Sequence, residues 1–463
     1  MKLKLSTLTT PWLLGVAILA FLSALPGLPA AESFNPFTYG AQGNGMALDT
    51  VAIQKAIDAA ASAGGGAQVE IPQGFTFLVG TLVLRGGIDF HLDGQLIIST
   101  NQADYSGDGV ITASNAVNLQ ISGTGSITGQ ALAFMTNYDR AGEWWLFAPW
   151  RPKMFMLVGC TNMTVRDITF GDSPYWGLHM LGCHNVLVDH VTVRNRLDVP
   201  NCDGIDPDHC SQVEIRNCDV IAGDDAIVVK NTRQTTDYGP SEDIYVHDCT
   251  LQTQDAGLKL GTETVSDIRN VVFERCRVTS ASRGICIQLR DEGSISNVVF
   301  RDIQFLARYY ADPWWGRGEG ISLTALPRTP QTKLGILQDV LITNVTGRAE
   351  NSLRINGTPD SHIRDVRLEN VTLTLDRWTK YPGGRYDNRP TTVLEPLETH
   401  GTAGLSIRYA DGVVLRNVTL RWGKNLPEYF TSALETDHVT GLELWGFRGF
   451  SAHPGTYAEM LLR

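Results

Sequence analysis

A short pattern of apolar and polar positions recurs along most of the chain. In NMTVRDITF, QVEIRNCDV and NVVFERCRV, an apolar residue is followed by a second one two positions later and a third five positions later. Nine such copies can be aligned, and the residue two positions after the start is apolar in all nine. The copies start at Met163, Val186, Val213, Ile244, Val271, Val298, Val340, Val366 and Val413.

Alternation at every second residue predicts strands rather than helices. The short strands recur at a variable spacing, usually between 20 and 30 residues. Such a repeat predicts a solenoid in which each coil buries its apolar side chains against the next coil. We therefore predict an all-β fold, a single-stranded right-handed parallel β-helix. Strands of successive coils should lie about 4.8 Å apart.

One segment near the start has helical rather than strand spacing. DTVAIQKAIDAAASAGGG, from Asp49 to Gly66, is predicted to be a short helix that Asp49 caps and the glycines end. The helix should cover the open end of the solenoid, where strand edges would otherwise be exposed. Its predicted apolar face comprises Val51, Ile53, Ala56, Ile57 and Ala60.

The first residues have the composition of a secretory signal peptide. Lys2 and Lys4 precede an apolar run from Pro11 to Leu25, and small residues follow in PGLPAAES. The run is short for a membrane span, although a retained anchor is an alternative. We predict a signal peptide over residues 1–31, cleaved near Ala30 or Ala31, and one catalytic β-helix over residues 32–463. The protein should be secreted, extracellular or periplasmic, and free of the membrane after cleavage.

Composition and cysteine positions refine this picture. The formal net charge of -11 argues against a nucleic-acid partner, which would require a basic face. Secretion permits disulfides among the eight cysteines. However, two sets of three repeat at fixed positions of the coil. The first set occupies a position that is apolar in other coils, which predicts small apolar side chains in the core, and the second is predicted to form another column. Disulfides remain an alternative that the sequence does not assign. The two sets are Cys218, Cys249 and Cys276, and Cys160, Cys183 and Cys210.

The triplet NVT also recurs at one place in the coil, at Asn344, Asn370 and Asn417. We interpret it first as a turn with stacked asparagines. Glycosylation at these positions is the weaker alternative.

A third strand in each coil carries the candidate chemistry. Successive copies read WGLHM, DGIDP, DAIVVK, AGLKL and RGICIQ. Their first residues should form a column at one edge of the solenoid that continues through Glu319, Asn351 and Ala403. The column begins with Trp176, Asp203, Asp225, Ala256 and Arg283.

Three aspartates meet in this column, because Asp203 should stack on Asp225 and Asp224 directly precedes Asp225. Crowded carboxylates raise the pKa of at least one member, which places a protonated acid beside an ionised base. Cleavage of an acetal needs such a pair, one to protonate the leaving oxygen and one to activate water.

Two other interpretations of these aspartates remain open. Clustered carboxylates also bind calcium, but Lys230 and Lys259 are predicted on the same face, so we expect no metal and no cofactor. Aspartates can also simply stabilise turns, an interpretation that suits Asp206, Asp208 and Asp255 better.

The motifs NCDGIDPD and AGDDAIVVK, in this order, resemble those of glycoside hydrolase family 28, the polygalacturonases and rhamnogalacturonases. The resemblance extends to AIQKAIDAAASAGGG and to the segment from Arg151 to Val186, and covers most of the chain after residue 31. It implies an inverting hydrolase of pectic polysaccharide with Asp224 as general acid. Asp203 and Asp225 would activate the water across a gap of roughly 6.5–9.5 Å, and Asn201 would orient the carboxylates or the sugar.

The sequence departs from the family at two places. Ala256 replaces a histidine, and Cys286 and Gln288 replace the arginine and lysine that hold a galacturonate carboxylate. Uncharged side chains cannot pair with a carboxylate in this way. We predict that Lys259, in the same outward column as Cys286, supplies the cation, with Arg290 as a second candidate.

Alternatives to this assignment remain. Lys259 could be a solvated surface lysine. Rhamnogalacturonases also lack the histidine, so a substrate with rhamnose at the leaving side is a second option.

Further substrate contacts are predicted at Trp176, His179, Arg283 and Gln288. The loop segments EWWLFAPW and DPWWGRGEG could place tryptophans against sugars or only pack loops on the solenoid. These tryptophans are Trp144, Trp145, Trp150, Trp314 and Trp315. Whether these loops block the groove would decide between internal cleavage and cleavage from a chain end.

Two other classes of function compete with hydrolysis. A lyase on the same solenoid would need calcium and a basic residue, and the aspartate pair argues against it. A carbohydrate-binding solenoid without turnover, such as an adhesin, is the other alternative. We expect a monomer whose partner is a pectic polysaccharide or oligosaccharide.

Overall fold

The computed structural model describes residues 32–463, and Glu32–Arg463 form one continuous unit. The predicted signal peptide and its cleavage site lie outside the described residues. Within this part of the chain, no helix is both long enough and apolar enough to cross a membrane.

The chain winds in coils, and most coils add one strand to each of three ladders of parallel strands. The first ladder contains the repeat. Its strands are Ser33–Phe34, Ala67–Ile71, Ile88–Leu92, Val117–Ser122, Thr161–Arg166, His184–Asp189, Ser211–Arg216, Ser241–His247, Ile268–Glu274, Ile295–Ala307, Gln338–Ala349, Ile363–Leu375, Leu405–Trp422 and Glu443–Trp445.

The second ladder follows the first after a sharp turn in each coil. Its separate strands are Asn44–Leu48, Thr76–Val79, Gln95–Ile98, Ser126–Thr128, Thr169–Gly171, Thr192–Arg194, Asp219–Ala222, Thr250–Thr253 and Arg277–Ala281. In later coils one long strand turns the corner, as Ile295–Ala307 does, and serves both ladders.

The third ladder contains the candidate site. Its strands are Leu82–Val83, Gly109–Ser114, Lys153–Val158, Leu178–Leu181, Ile205–Asp208, Ile227–Asn231, Ala256–Thr264, Arg283–Leu289, Glu319–Ala325, Leu353–Asn356, the start of Leu405–Trp422, Leu434–Thr440 and Met460–Leu462. The three ladders enclose one continuous apolar core. The prediction of an all-β parallel β-helix is confirmed.

The register confirms the repeat residue by residue. Met163 pairs with Val186, Val186 with Val213, and the same column continues to Val413 without a slip. All nine starting residues are buried. Since a shift by one residue would turn every apolar side chain outward, burial of this face fixes the register.

The cysteine and asparagine columns form as predicted. All eight cysteines are buried free thiols, and both sets of three lie in the apolar core. Asn344, Asn370 and Asn417 each adopt a left-handed backbone conformation. The side-chain amide of Asn370 donates to Asn344, and that of Asn417 donates to Asn370, both at 3.1 Å.

The α-helix, Thr50–Ala63, packs against the first strands and buries Ile53, Ile57 and Ala60. Two details differ from the prediction. Val51 is exposed, because it lies on the outer side of the first turn. Asp49 does not cap the helix through its side chain, which instead accepts hydrogen bonds from the backbone N–H groups of Gln42 and Gly43.

A few elements lie outside the ladders. Two antiparallel hairpins extend from the coils, Met135–Asp139 with Trp144–Phe147 and Arg385–Asp387 with Leu397–Thr399. The remaining elements are short 3₁₀ turns at Pro36–Tyr39, Gln102–Asp104 and Ala131–Phe134.

Candidate active site

The predicted column of the third ladder exists. Ala256 pairs with Arg283 and Arg283 with Glu319, while the pairing of Ile205 with Ile227 brings Asp203 beside Asp225. The column borders a cleft of about 290 Å³. Those predicted site residues that line it are Asp203, Asp224, Asp225, Trp176, Asn201, Lys259, Arg283 and Gln288.

Asp224 is held by its own backbone and by the preceding coil. Its Oδ2 accepts from the backbone N–H of Asn201 at 3.1 Å, and its Oδ1 from the N–H of Asp225 at 3.0 Å. Asn201 can aim its N–H here because it adopts a left-handed conformation, φ 58°, that asparagine tolerates. Gly223 allows the close approach, since a Cβ there would lie 2.2 Å from the carbonyl oxygen of Val199.

Asp224 has the electrostatics of an acid. Burial, followed by the negative charges of Asp203 and Asp255, raises its pKa to about 8. The carboxyl is therefore protonated at neutral pH, although the side chain borders an open cleft.

Asp225 shares a lysine with a second carboxylate. Lys259 Nζ lies 3.0 and 2.8 Å from the two oxygens of Asp225 and 3.2 Å from Asp255 Oδ2. Burial raises the pKa of Asp225, and Lys259 opposes this. Burial alone would lower the pKa of Lys259, but Asp225 and Asp255 hold it above its usual value. Because both oxygens of Asp225 accept from an ammonium, we take Asp225 as ionised.

Asp203 is paired with the other buried lysine. Lys230 Nζ donates to Asp203 Oδ2 at 2.6 Å and lies 3.3 Å from Asp206 Oδ1. Burial raises the pKa of Asp206 well above its usual value. Asp203 Oδ1 is buried and receives no hydrogen bond from the described residues.

The charges of this cluster nearly balance. It contains two more carboxyl groups than cations. Burial raises the pKa of three members, Asp206, Asp224 and Asp225, and because Asp225 is bound through both oxygens by Lys259, we assign the two protons that make the cluster neutral to Asp206 and Asp224. Its members are Asp203, Asp206, Asp224, Asp225, Asp255, Lys230, Lys259 and Arg283.

Oxygens of Asp224, Asp225 and Asp255 lie within 4.8 Å of one another, close enough to hold a metal ion. However, the ammonium of Lys259 contacts both Asp225 and Asp255 and supplies the positive charge there. Calcium takes six to eight oxygen ligands and would have to displace this lysine. The donor set therefore fits an ammonium better than a metal ion.

The same distance corrects one expectation. The gap of roughly 6.5–9.5 Å expected between acid and base is not found between Asp224 and Asp225, whose oxygens lie within 4.8 Å. The two residues are adjacent in the turn between Asp219–Ala222 and Ile227–Asn231, and both border the same cleft, which keeps their carboxyl groups close. The distance between these two carboxyl groups therefore does not by itself indicate whether the reaction inverts or retains the configuration of the anomeric carbon.

Two predicted substrate-binding residues lie outside the cleft. His179 is buried, with Nε2 3.1 Å from Asp208 Oδ2 and Nδ1 3.0 Å from Lys153 Nζ. Arg290 is fully buried beyond the end of its strand and donates to Thr324 Oγ1 at 2.9 Å. Burial lowers the pKa of His179 to about 4 and that of Arg290 to about 9.

Lys259 lies where the sequence predicted but differs in its partners. It pairs with Cys286 in the register, which confirms the shared column. It is 5% exposed, so the alternative of a solvated surface lysine is wrong. Its ammonium is already bound by Asp225 and Asp255, so it is not the free cation that was predicted for a substrate carboxylate.

The tryptophan-rich loops mainly pack on each other. Trp144 contacts Trp314 and Trp315 at centroid distances of 5.4 and 5.9 Å, and Trp314 is fully buried. Only Trp315 of these lines the cleft. Packing therefore explains Trp144 and Trp314.

Other lining residues were missed from the sequence. Asp255 had been assigned to a turn, although it precedes the column residue Ala256 as Asp224 precedes Asp225, which is a usable signal. Arg389 and Pro390 come from a hairpin without any repeat, so nothing in the sequence pointed to them. The other missed lining residues are Tyr175, Thr262 and Glu263, whereas Lys230 and Trp315, which also line the cleft, were predicted beside this face.

Comparison with known proteins agrees with the architecture and motifs. Residues 62–381 match the model of glycosyl hydrolases family 28. The chain belongs to this family. It is therefore a glycoside hydrolase, with the paired aspartates at the centre of its cleft.

Relatives within family 28 include a probable polygalacturonase of Vitis vinifera, 25% identical over 74% of this chain and 75% of the relative. An exopolygalacturonase of Zea mays is 25% identical over 70% of this chain and 86% of its own length.

Solved structures support the fold. The Yersinia enterocolitica family 28 exopolygalacturonase matches with a TM-score of 0.67 at 19% identity, over 89% of this chain and 78% of its own. The Thermotoga maritima exopolygalacturonase matches with a TM-score of 0.66 at 19% identity, over 86% and 93%.

Proposed function

We propose that the protein is a secreted hydrolase of pectic polysaccharide that cleaves an α-glycosidic bond by direct attack of water, with inversion. Asp224 is the general acid, and Asp203 and Asp225 together hold and activate the water. The observation that carries this proposal is the difference in charge partners among the three aspartates of one cleft. Among residues 32–463, Asp224 has no cationic partner and has a pKa of about 8, whereas Asp203 and Asp225 each have a lysine.

The reaction follows from these charges. Asp224 donates its proton to the glycosidic oxygen as the bond from that oxygen to the anomeric carbon breaks. A water held between Asp203 and Asp225 attacks the anomeric carbon and gives its proton to one of these carboxylates. Exchange with solvent then returns the proton to Asp224.

The lysines keep the base functional. Without Lys230 and Lys259, three carboxyl groups so close together and so deeply buried would bind further protons and lose their ability to accept one from water. We assign these lysines to positioning and charge balance rather than to sugar binding.

One observation favours a second candidate, a hydrolase of rhamnogalacturonan or another uronide-containing polymer. Every cation lining the cleft is paired with a carboxylate: Lys230 with Asp203, Lys259 with Asp225, Arg283 with Asp255, and Arg389 with Asp387. Together with Ala256, Cys286 and Gln288, this leaves no free cation among the described cleft-lining residues for a galacturonate carboxylate, and favours a neutral sugar beside the scissile bond.

The test compares substrates and one variant. The protein and its Asp224→Asn variant would be incubated with polygalacturonate and with debranched rhamnogalacturonan, and new reducing ends would be measured. Release from either polymer that the variant loses by about 10²–10⁴-fold supports the proposal and identifies the polymer. No release from either polymer, or full activity of the variant, would refute it.

The competing classes predict different results. A lyase would produce unsaturated ends that absorb ultraviolet light, and chelation of calcium would abolish its activity. A binding-only solenoid would retain polymer without producing new ends.

Secretion belongs to the same proposal. We expect the exported protein to begin near Glu32, after removal of residues 1–31. Mass spectrometry of protein recovered outside the cytoplasm measures this directly. An intact N-terminus on the exported protein would contradict cleavage.

A further inference from the structure

The groove along the third ladder differs between its two sides. Toward the N-terminal coils, the outward residues Val83, Thr112 and Met156 are half-buried and the floor is accessible. Toward the C-terminal coils, Cys286, Ser322, Arg354 and Ser406 continue the same outward row, yet all four are buried. The row between these ends is buried as well, within the catalytic coils, at His179, Asp206, Val228 and Lys259. Beyond those coils, another segment covers the floor on the C-terminal side.

The cover is the hairpin segment Arg385–Thr399. Tyr386 and Asn388 are buried against the floor, where the Tyr386 hydroxyl lies 2.9 Å from Ser352 Oγ. Arg354 Nη2 donates to Asn388 Oδ1 at 2.7 Å. These contacts hold the segment over the strands that follow the catalytic column.

The segment also crosses the groove from wall to wall. On one wall, Arg389 Nη2 donates to the carbonyl oxygen of Trp314 at 2.6 Å, and Asp387 accepts from the N–H of Gly316 at 2.8 Å. On the other wall, Thr392 N–H donates to the carbonyl oxygen of Arg328 at 3.0 Å. Trp314 and Arg328 lie in the turns before and after the same strand, Glu319–Ala325. The segment therefore spans the full width of the groove.

The crossing forms the end of the catalytic cleft. Arg389 and Pro390 line the cleft together with Gln288, whose side-chain amide donates to the carbonyl oxygen of Arg389 at 3.3 Å. Gln288 lies one coil beyond Lys259, so the barrier begins directly beside the aspartates.

The opposite end has surfaces suited to a continuing sugar chain. Tyr175 and Trp176 stack at 5.6 Å, are both half-buried, and line the cleft. Lys153 Nζ lies 4.2 Å from the Trp176 ring. Aromatic faces and a nearby cation suit a polysaccharide with acidic units.

We propose that the Arg385–Thr399 segment makes this enzyme act only on chain ends, with the terminal sugar against Arg389, Pro390 and Gln288 and the rest of the polymer over Tyr175 and Trp176. This proposal rests on the hydrolysis proposed above. It assigns the choice between internal and terminal cleavage to one segment outside the repeat.

The first test follows products of the whole protein on the polymer that it cleaves. We expect the terminal unit as the early product, with a slow fall in viscosity relative to the number of new ends. Early release of oligosaccharides of many lengths, with a rapid fall in viscosity, would overturn the proposal while leaving the hydrolysis itself intact.

The second test opens the barrier. Asp387 pairs with Leu397, so replacing residues 388–396 by Asn-Gly closes the hairpin with a two-residue turn that suits paired strands. We expect this variant to gain internal cleavage. The exposed tip residue Leu394 offers a matched control, since Leu394→Ala should retain terminal cleavage.

Binding gives a readout that needs neither turnover nor a loop deletion. The Asp224→Asn variant would be titrated with an oligosaccharide of the cleaved polymer and with the same oligosaccharide bearing bulky groups at both ends. We expect the blocked chain to bind about tenfold more weakly or worse. Equal affinity for the two ligands would overturn the proposal.

Discussion

At the scale of single residues, the site depends on a difference in protonation between neighbours. Asp224 and Asp225 are adjacent in sequence and both are buried, yet within the part of the chain that the structure describes only Asp225 contacts a lysine. The charge of each carboxyl is thus set by its partners from the neighbouring coils, rather than by its own position in the chain.

The raised pKa of Asp224 predicts the alkaline limit of activity. The acid must be protonated, so kcat/KM should fall as the pH rises through about 8. A pH profile of kcat/KM on the cleaved polymer measures this, and a rate that stays constant well above pH 8 would contradict the assignment.

The same group predicts a trend in stability. The folded pKa of Asp224 exceeds its unfolded value of about 3.9, so the native state binds more protons between these values. The free energy of unfolding contributed by this group should therefore fall as the pH rises from about 4 to about 8. Chemical denaturation of Asp224→Asn across this range should give a shallower decline than wild type, and parallel curves would contradict the shift.

Lys259 gives a second prediction at this scale. Lys259→Met leaves Asp225 and Asp255 without their ammonium, which should cost about 3–5 kcal/mol of unfolding free energy. The pKa of the base should rise, so the acidic limb of the activity profile should move to higher pH and kcat should fall.

The matched control is Lys333→Met on the exposed surface, which should change stability by less than about 0.5 kcal/mol. An increase in KM confined to acidic substrates, with kcat and the pH profile unchanged, would instead assign Lys259 to the substrate carboxylate.

Residue positions were predictable where the repeat applies. The column from Trp176 to Arg283 was predictable because each coil repeats one apolar pattern. The partners of Lys259 and the burial of His179 and Arg290 could not be predicted, since they depend on which side chains from adjacent coils meet. Such contacts are not encoded by any periodicity.

At the scale of elements, the apolar columns hold the coils in register. Phe273 and Phe300 occupy the same position in successive coils, and their rings stack at 4.9 Å with an interplanar angle of 7°. The strands of the first ladder therefore supply both the core and the alignment that brings Asp203 beside Asp225.

Removal of one stacked ring should be costly. Phe273→Ala should lower the free energy of unfolding by about 3–5 kcal/mol, because it removes packing and leaves a cavity between coils. Denaturant unfolding measures the loss. The neighbouring outward residue supplies the control, since Val272→Ala should cost far less, and an equal loss for both would contradict the assigned strand faces.

Elements outside the repeat were the ones that the sequence did not predict. The capping helix was found because its spacing is helical, although its cap was misassigned. The hairpin Arg385–Asp387 with Leu397–Thr399 has only three residues in each strand, too few to give a periodic signal. Its position over the groove depends on tertiary contacts with Arg354 and Arg328.

At the scale of the whole molecule, the solenoid supplies a long groove, and insertions between coils modify it. The catalytic aspartates lie in short turns directly before strands of the third ladder, while the barrier comes from a hairpin inserted between coils. This separation lets one scaffold keep its catalytic centre while the length of accessible groove changes.

The most direct test of the assigned roles separates the acid from the base. Asp224→Asn and Asp225→Asn would each be assayed on an oligosaccharide of the cleaved polymer and on an aryl glycoside of the same terminal sugar. Because an aryloxide leaves without a proton, Asp224→Asn should lose about 10²–10⁴-fold on the oligosaccharide but far less on the aryl glycoside. Asp225→Asn should lose activity on both. Equal losses for Asp224→Asn on the two substrates would contradict its role as the general acid.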